Sequence, residues 1–208
     1  MQGIALLRET FRDEDHIRIH PIITRGGAAV SSVPANVTME MFIRAANVEA
    51  MQDAEVKVDR ALKGAAMTIG ATVEISTSPG YMPSLFDPAL GDLYEKSVVE
   101  LLGESATGRV PHRTSSTDMG DISMMMPTLH AYASGASGRT HSDEFEITDW
   151  QLDVIDAGKA MVSTVIDLLA NDGTSAKDII ANFDARLSQE KYLETLRGFQ
   201  RTETWNGE

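Results

Sequence analysis

The stretch IRIHPIITRGGAAVSSVPANVTMEMFIRA, residues 17–45, alternates apolar and polar side chains twice, with a glycine pair and a Ser/Pro-containing loop between the two runs. Residues 17–24 are β-branched and alternating, which predicts a strand ended by Gly26 and Gly27. Residues 38–45 predict a second strand. It sets Met39, Met41 and Ile43 on one side and Glu40, Phe42 and Arg44 on the other. Upstream, Ile4, Leu7 and Phe11 share a helical face. Downstream, the spacing predicts a helix over 48–67 with Val56, Leu62 and Ala66 apolar and Gly70 as a stop, then a strand over 71–77. Helix, strand, strand, helix, strand is the order of a split β-α-β, ferredoxin-like unit without its opening strand. Such a unit is expected to carry an open sheet edge and to dimerise or aggregate.

The character changes at SPGYMPSLFDPAL, residues 78–90. A helix is expected over 90–103, then polar and glycine-rich pieces around one apolar strand, ISMMMPTLHAYA. Thr148 and Gln151 read as a capping box for a long helix. Its apolar stripe is Leu152, Ile155, Val162, Val165, Ile166 and Leu169, and Asn171-Asp172-Gly173 ends it. Shorter helices follow near 175–184 and 188–200.

Length and composition set limits on function. The 208 residues are 42% apolar and 24% charged, ordinary for a globular chain with a real core. A formal charge of −13 argues against nucleic acid or an anionic membrane as partner, since both need a basic face. Having no cysteine removes thiolate nucleophiles and Cys-ligated zinc, and fits a cytoplasmic setting. The eleven methionines, with the run Met124–Met126, are read as filling for irregular core space.

Three clusters carry chemistry. Ser115-Ser116-Thr117-Asp118-Met119-Gly120-Asp121 holds two carboxylates three residues apart. They suit a metal or the orientation of a histidine, and equally a turn whose side chains bond their own backbone. His130 and His141 flank a Gly/Ser loop. Arg44 has the planar fork that suits a carboxylate. No HExxH and no G-x-S-x-G is present. Asp118, Asp121, His130 and His141 as a self-sufficient mononuclear site is one reading of this clustering.

The order of the pieces is more specific. HPIITRGGAAVSSVPANVTMEMFIRA, KGAAMTIGATVEI, SSTDMGDISMMMPTLHAY and THSDEF, in that sequence, resemble the aminoacylase/carboxypeptidase family of di-zinc amidohydrolases, in the branch of the p-aminobenzoyl-glutamate hydrolases. The resemblance implies an α/β fold. Residues 1–80 would be an α+β lid that also dimerises, and 81–208 the C-terminal part of the catalytic domain. It makes His141 a metal ligand, with Asp118 and His130 in support. Arg44 becomes the holder of the substrate carboxylate, and Ser31 stands where the family has asparagine. Serine is shorter than asparagine and is not expected to reach a developing oxyanion as well.

The implied cofactor is zinc, two ions per complete site, with cobalt or manganese as alternatives. The implied substrate is a small N-acyl or aryl-amidated amino acid or a dipeptide, cleaved at its amide bond. The implied assembly is a homodimer through the lid. The family's N-terminal ligands, a His-x-Asp motif and a Glu-Glu pair, and its lid histidine find no match in this sequence, whose one His-x-Asp, His141-Ser142-Asp143, lies in the stretch THSDEF. The chain is therefore expected to be the C-terminal part of a longer enzyme or a truncated reading frame, and inactive alone. A non-catalytic dimerisation or scaffold module is the competing reading.

Overall fold

The computed structural model describes residues 1–112 and 115–207, and these mix helices with small antiparallel sheets, an α/β (α+β) arrangement. The chain divides into two compact units, one of residues 1–84, 112–121 and 189–208, the other of 85–111 and 122–188. Among the described residues no helix is long and apolar enough to cross a membrane.

The first unit begins with a short helix, α1 (Gln2–Ala5), and contains the hairpin of β1 (Arg18–Arg25) and β2 (Thr38–Arg44). Pairing runs from Arg18 opposite Arg44 to Ile23 opposite Met39, with an irregularity before Arg25 meets Thr38. That register puts Ile19, Pro21 and Ile23 on one face with Met39, Met41 and Ile43, as the alternation predicts. The other face carries Arg18, His20, Ile22, Glu40, Phe42 and Arg44.

Helix α2 (Val48–Thr68) starts where Asn47 accepts a hydrogen bond from the Ala50 N–H at 2.8 Å. Its buried residues Ala50, Ala54 and Val58 form one stripe at four-residue spacing. The strand β3 (Thr72–Thr77) then departs from the expectation of one sheet continuous with the hairpin. It pairs instead with β6 (Arg201–Asn206), from Thr72 opposite Asn206 to Thr77 opposite Arg201. The polar run RTETWN carried no strand prediction, yet the N–H and C=O groups of β3 need partners and β6 supplies them.

Side chains hold β6 in place. Arg201 bonds Glu55 at 2.6 Å and Asp59 at 2.5 Å on α2, and Lys63 meets Glu203 at 2.6 Å. Helix α6 (Gln189–Phe199) leads into this strand.

In the second unit α3 (Pro88–Leu102) packs on α5 (Ala157–Asn182) through small residues. Ser97, Ala160 and Thr164 are buried, and the Thr164 and Ser97 hydroxyls meet at 3.2 Å. The apolar stripe expected to face the core is largely turned outward, since Ile155, Val162, Val165, Ile166 and Leu169 are all exposed. Small side chains permit the closest helix approach, so the face bearing Ala160 and Thr164 meets α3.

The helix start also differs from the capping-box expectation. Asp149 accepts from the Leu152 N–H at 3.0 Å, while the Thr148 hydroxyl donates to the Gly135 carbonyl. A π-helical turn, Gln151–Asp156, precedes α5. Asn171-Asp172-Gly173 breaks α5 as expected, with all three residues at positive φ.

The predicted strand over ISMMMPTLHAYA is not formed. Its first residues close α4 (Met119–Ser123), and the rest is irregular. Its backbone groups are used singly: the Thr128 carbonyl accepts from Asp87 N–H, and that of Met124 from Leu187 N–H. Met124 is fully buried, as the core-filling reading expects, whereas Met126 is exposed.

Replacing Arg201 by alanine would leave Glu55 and Asp59 facing each other with 12% and 14% of their side chains exposed. Urea denaturation is expected to show a loss of about 1–3 kcal/mol, with Arg201→Met no better than alanine. An unchanged midpoint would show that the ladder alone holds β6.

Candidate functional site

Arg44 ends β2, and its guanidinium carbon sits 5.5 Å from the centroid of the Phe42 ring. This is cation–π distance, and it orients the fork on the outer face of the hairpin. Ser31 lies in the exposed turn joining β1 and β2, where Ser32 N–H bonds the Ala29 carbonyl. The loop leaves the hairpin beyond the Arg25–Thr38 pair, and Arg44 stands at the other end, opposite Arg18. Six strand residues, about 20 Å, separate that end of the hairpin from Arg44.

The serine- and aspartate-rich turn is built closely against residues 82–84. Asp121 accepts from the Met82 N–H at 3.0 Å. Tyr192 has its pKa raised by burial first and then by the Asp121 carboxylate. A Cβ on Gly120 would stand 2.1 Å from the Met82 carbonyl oxygen, so only glycine fits there. Asp118 is exposed and accepts from the neighbouring Thr117 hydroxyl at 2.8 Å. The Asp121 carboxylate thus bonds a backbone N–H 39 positions away and not the backbone of its own turn.

The two histidines lie in the second unit. His130 stacks on Tyr132, with ring centroids 5.1 Å apart, and meets the edge of Phe86 at 6.2 Å. Its Nδ1 is buried without a hydrogen-bond partner. His141 sits at the exposed tip of the loop between β4 (Ala136–Ser137) and β5 (Glu146–Ile147), with φ of 64°. The loop is closed by Ser142, whose hydroxyl donates to the Arg139 carbonyl at 2.7 Å, and by Gly138, whose Cβ would strike Glu144.

A zinc site needs three or four nitrogen or oxygen ligands. Among the described residues, no three His, Asp or Glu side chains converge in that way. The donor set does not fit a zinc ion held by these residues alone.

One pair escaped sequence reasoning. The rings of His16 and His112 lie 5.0 Å apart. Partial burial, then the nearby charge of His16, lowers the pKa of His112 from the usual 6.5. Ninety-six positions separate the two, so no local pattern could have signalled it.

Two expected outcomes follow from these placements. Histidine is strained at positive φ, so His141→Gly should stabilise the chain by about 1 kcal/mol in thermal melts. A lower melting temperature would mean that the imidazole holds the loop together. For His112 the folded-state pKa lies below the unfolded one, so its contribution to stability is complete above about pH 6.5 and lost as pH falls below that value. His112→Gln should flatten this acid-side slope in pH-dependent denaturation, and an unaltered slope would assign the dependence elsewhere.

No family model matches the chain. Two curated proteins are similar to it: the Xaa-Arg dipeptidase of Mus musculus, 25% identical over 188 residues, and that of Homo sapiens, 24% identical over 189. Each comparison covers 86% of this chain and 43% of the relative, so the chain spans less than half the length of the curated proteins it matches. Similarity at this level is a distant relation to dipeptidases, which are hydrolases.

Proposed function

We propose that the chain serves in a metal-dependent amidohydrolase that cleaves a small N-acyl or aryl-amidated amino acid or a dipeptide. The observation that carries this reading is the similarity over 86% of the chain to two Xaa-Arg dipeptidases. The collinear motifs around Arg44, Asp118 and His141 add to it. Residues 1–80 act as the lid and the homodimer contact. Residues 81–208 act as the C-terminal part of the catalytic domain, in the cytoplasm. The exposed apolar face of α5 supports the second assignment, because a face of that extent needs a covering surface.

In this reading Arg44 binds the free carboxylate of the substrate. The cation–π contact with Phe42 restrains its fork, so less freedom is lost when the carboxylate docks. His141 is the single imidazole that the chain offers to zinc, or to cobalt or manganese. Its other ligands come from outside the described residues. Ser31 remains on the substrate side as the counterpart of the family asparagine, and Asp118 and His130 remain as supporting groups.

Calorimetric titration of the chain with N-acetyl-L-alanine and with N-acetyl-L-alaninamide tests the role of Arg44. The acid is expected to bind at least about tenfold more tightly than the amide, and Arg44→Gln to erase the difference. Equal affinity for acid and amide would overturn the assignment.

A further inference from the structure

His16 and His112 come from segments far apart in the chain and meet within the first unit, their ring centroids 5.0 Å apart and their planes at 30°. Both residues are exposed, and among the described residues neither ring makes a hydrogen bond or an ion pair. Each is carried by anchored backbone. His16 follows the short helical turn Asp13–Asp15, where the Asp15 carbonyl accepts from the Ala46 N–H at 2.8 Å, at the foot of the β1–β2 hairpin. His112 opens the stretch 112–121, whose far end Asp121 fastens to Met82. A metal ion about 2.1 Å from one nitrogen of each ring lies about 3.2 Å from each ring centre, so two imidazoles on one ion have centres about 4.5–5.2 Å apart at angles between square and tetrahedral. The observed 5.0 Å falls inside that range. Burial, then the charge of His16, holds the pKa of His112 below 6.5, which keeps that imidazole neutral and able to ligate at pH 7. Asp13, Glu14 and Asp15, directly before His16, add a negative field that favours a cation.

We propose that His16 and His112 form a two-imidazole site for a divalent transition-metal ion, copper(II) in preference to nickel(II) or zinc(II). Imidazole suits all three ions, and copper(II) stands highest in the affinity order for nitrogen donors. No third His, Asp or Glu among the described residues completes the set, so water fills the other positions and the ion exchanges freely. Two nitrogens and water suit the tetragonal geometry of copper(II) better than a tetrahedral zinc site, which draws three or four ligands from the protein. Bound there, the ion links residues 96 positions apart and steadies the first unit, because it binds the folded chain and not the unfolded one. The site uses none of the residues assigned in the proposed amidohydrolase and stands independently of that reading.

Calorimetric titration of the full chain with nickel(II) chloride, together with electron paramagnetic resonance of the copper(II) form, tests the site. One ion per chain is expected, with copper(II) coupled to two ring nitrogens. His16→Gln and His112→Gln should each weaken nickel(II) binding at least about tenfold, and the double variant should lose no more than either alone. Each single variant should also remove one nitrogen from the copper(II) spectrum. Saturating nickel(II) should raise the melting temperature of the wild type, whereas the variants, whose metal-free melting curves show that they fold, should gain nothing. Binding as tight in either single variant as in the wild type overturns the site. So does a loss of affinity that follows His20→Gln or His141→Gln instead, since it assigns the ion to another imidazole.

Discussion

The pairing of β3 with β6 is the constraint on which the first unit depends. It ties residues 72–77 to 201–206 in an unbroken six-residue register and so brings the last twenty residues of the chain beside the first eighty-four. Without it the backbone groups of β3 would lose their partners, and Arg201 would lose its place between Glu55 and Asp59. The same pairing replaces the expected single sheet of β3 with the hairpin by a separate two-stranded sheet. The ladder of β3 is occupied by a strand whose polar, alternating side chains suit an exposed position.

Stability and function divide differently within the candidate residues. Gly120 and Asp121 are explained by close packing against Met82 and by the Tyr192 hydroxyl. His141 has no such explanation, because it sits exposed at a loop tip with a backbone angle that disfavours it. Arg44 lies between these cases. Its fork lies over Phe42 at the half-buried end of β2.

The site residues were legible in the sequence to different degrees. Arg44 could be placed on the outer face because strand alternation is local and strict, and the structure keeps that alternation. His141 was visible only as one histidine in a polar loop, and its role came from the order of motifs along the chain. The close approach of the His16 and His112 rings had no local signature at all.

By itself the sequence determined the local periods: the two strands of the hairpin, the long helix after Asn47, and the break at Asn171-Asp172-Gly173. Each depends on near neighbours, through side-chain alternation, a capping amide or positive φ. Tertiary structure alone decided that β3 pairs with β6, that small residues of α5 meet α3 while its larger apolar stripe is exposed, and that ISMMMPTLHAYA forms no strand. Those outcomes turn on which backbone groups still need partners and which faces can approach most closely once the local elements exist, and both are settled between distant residues.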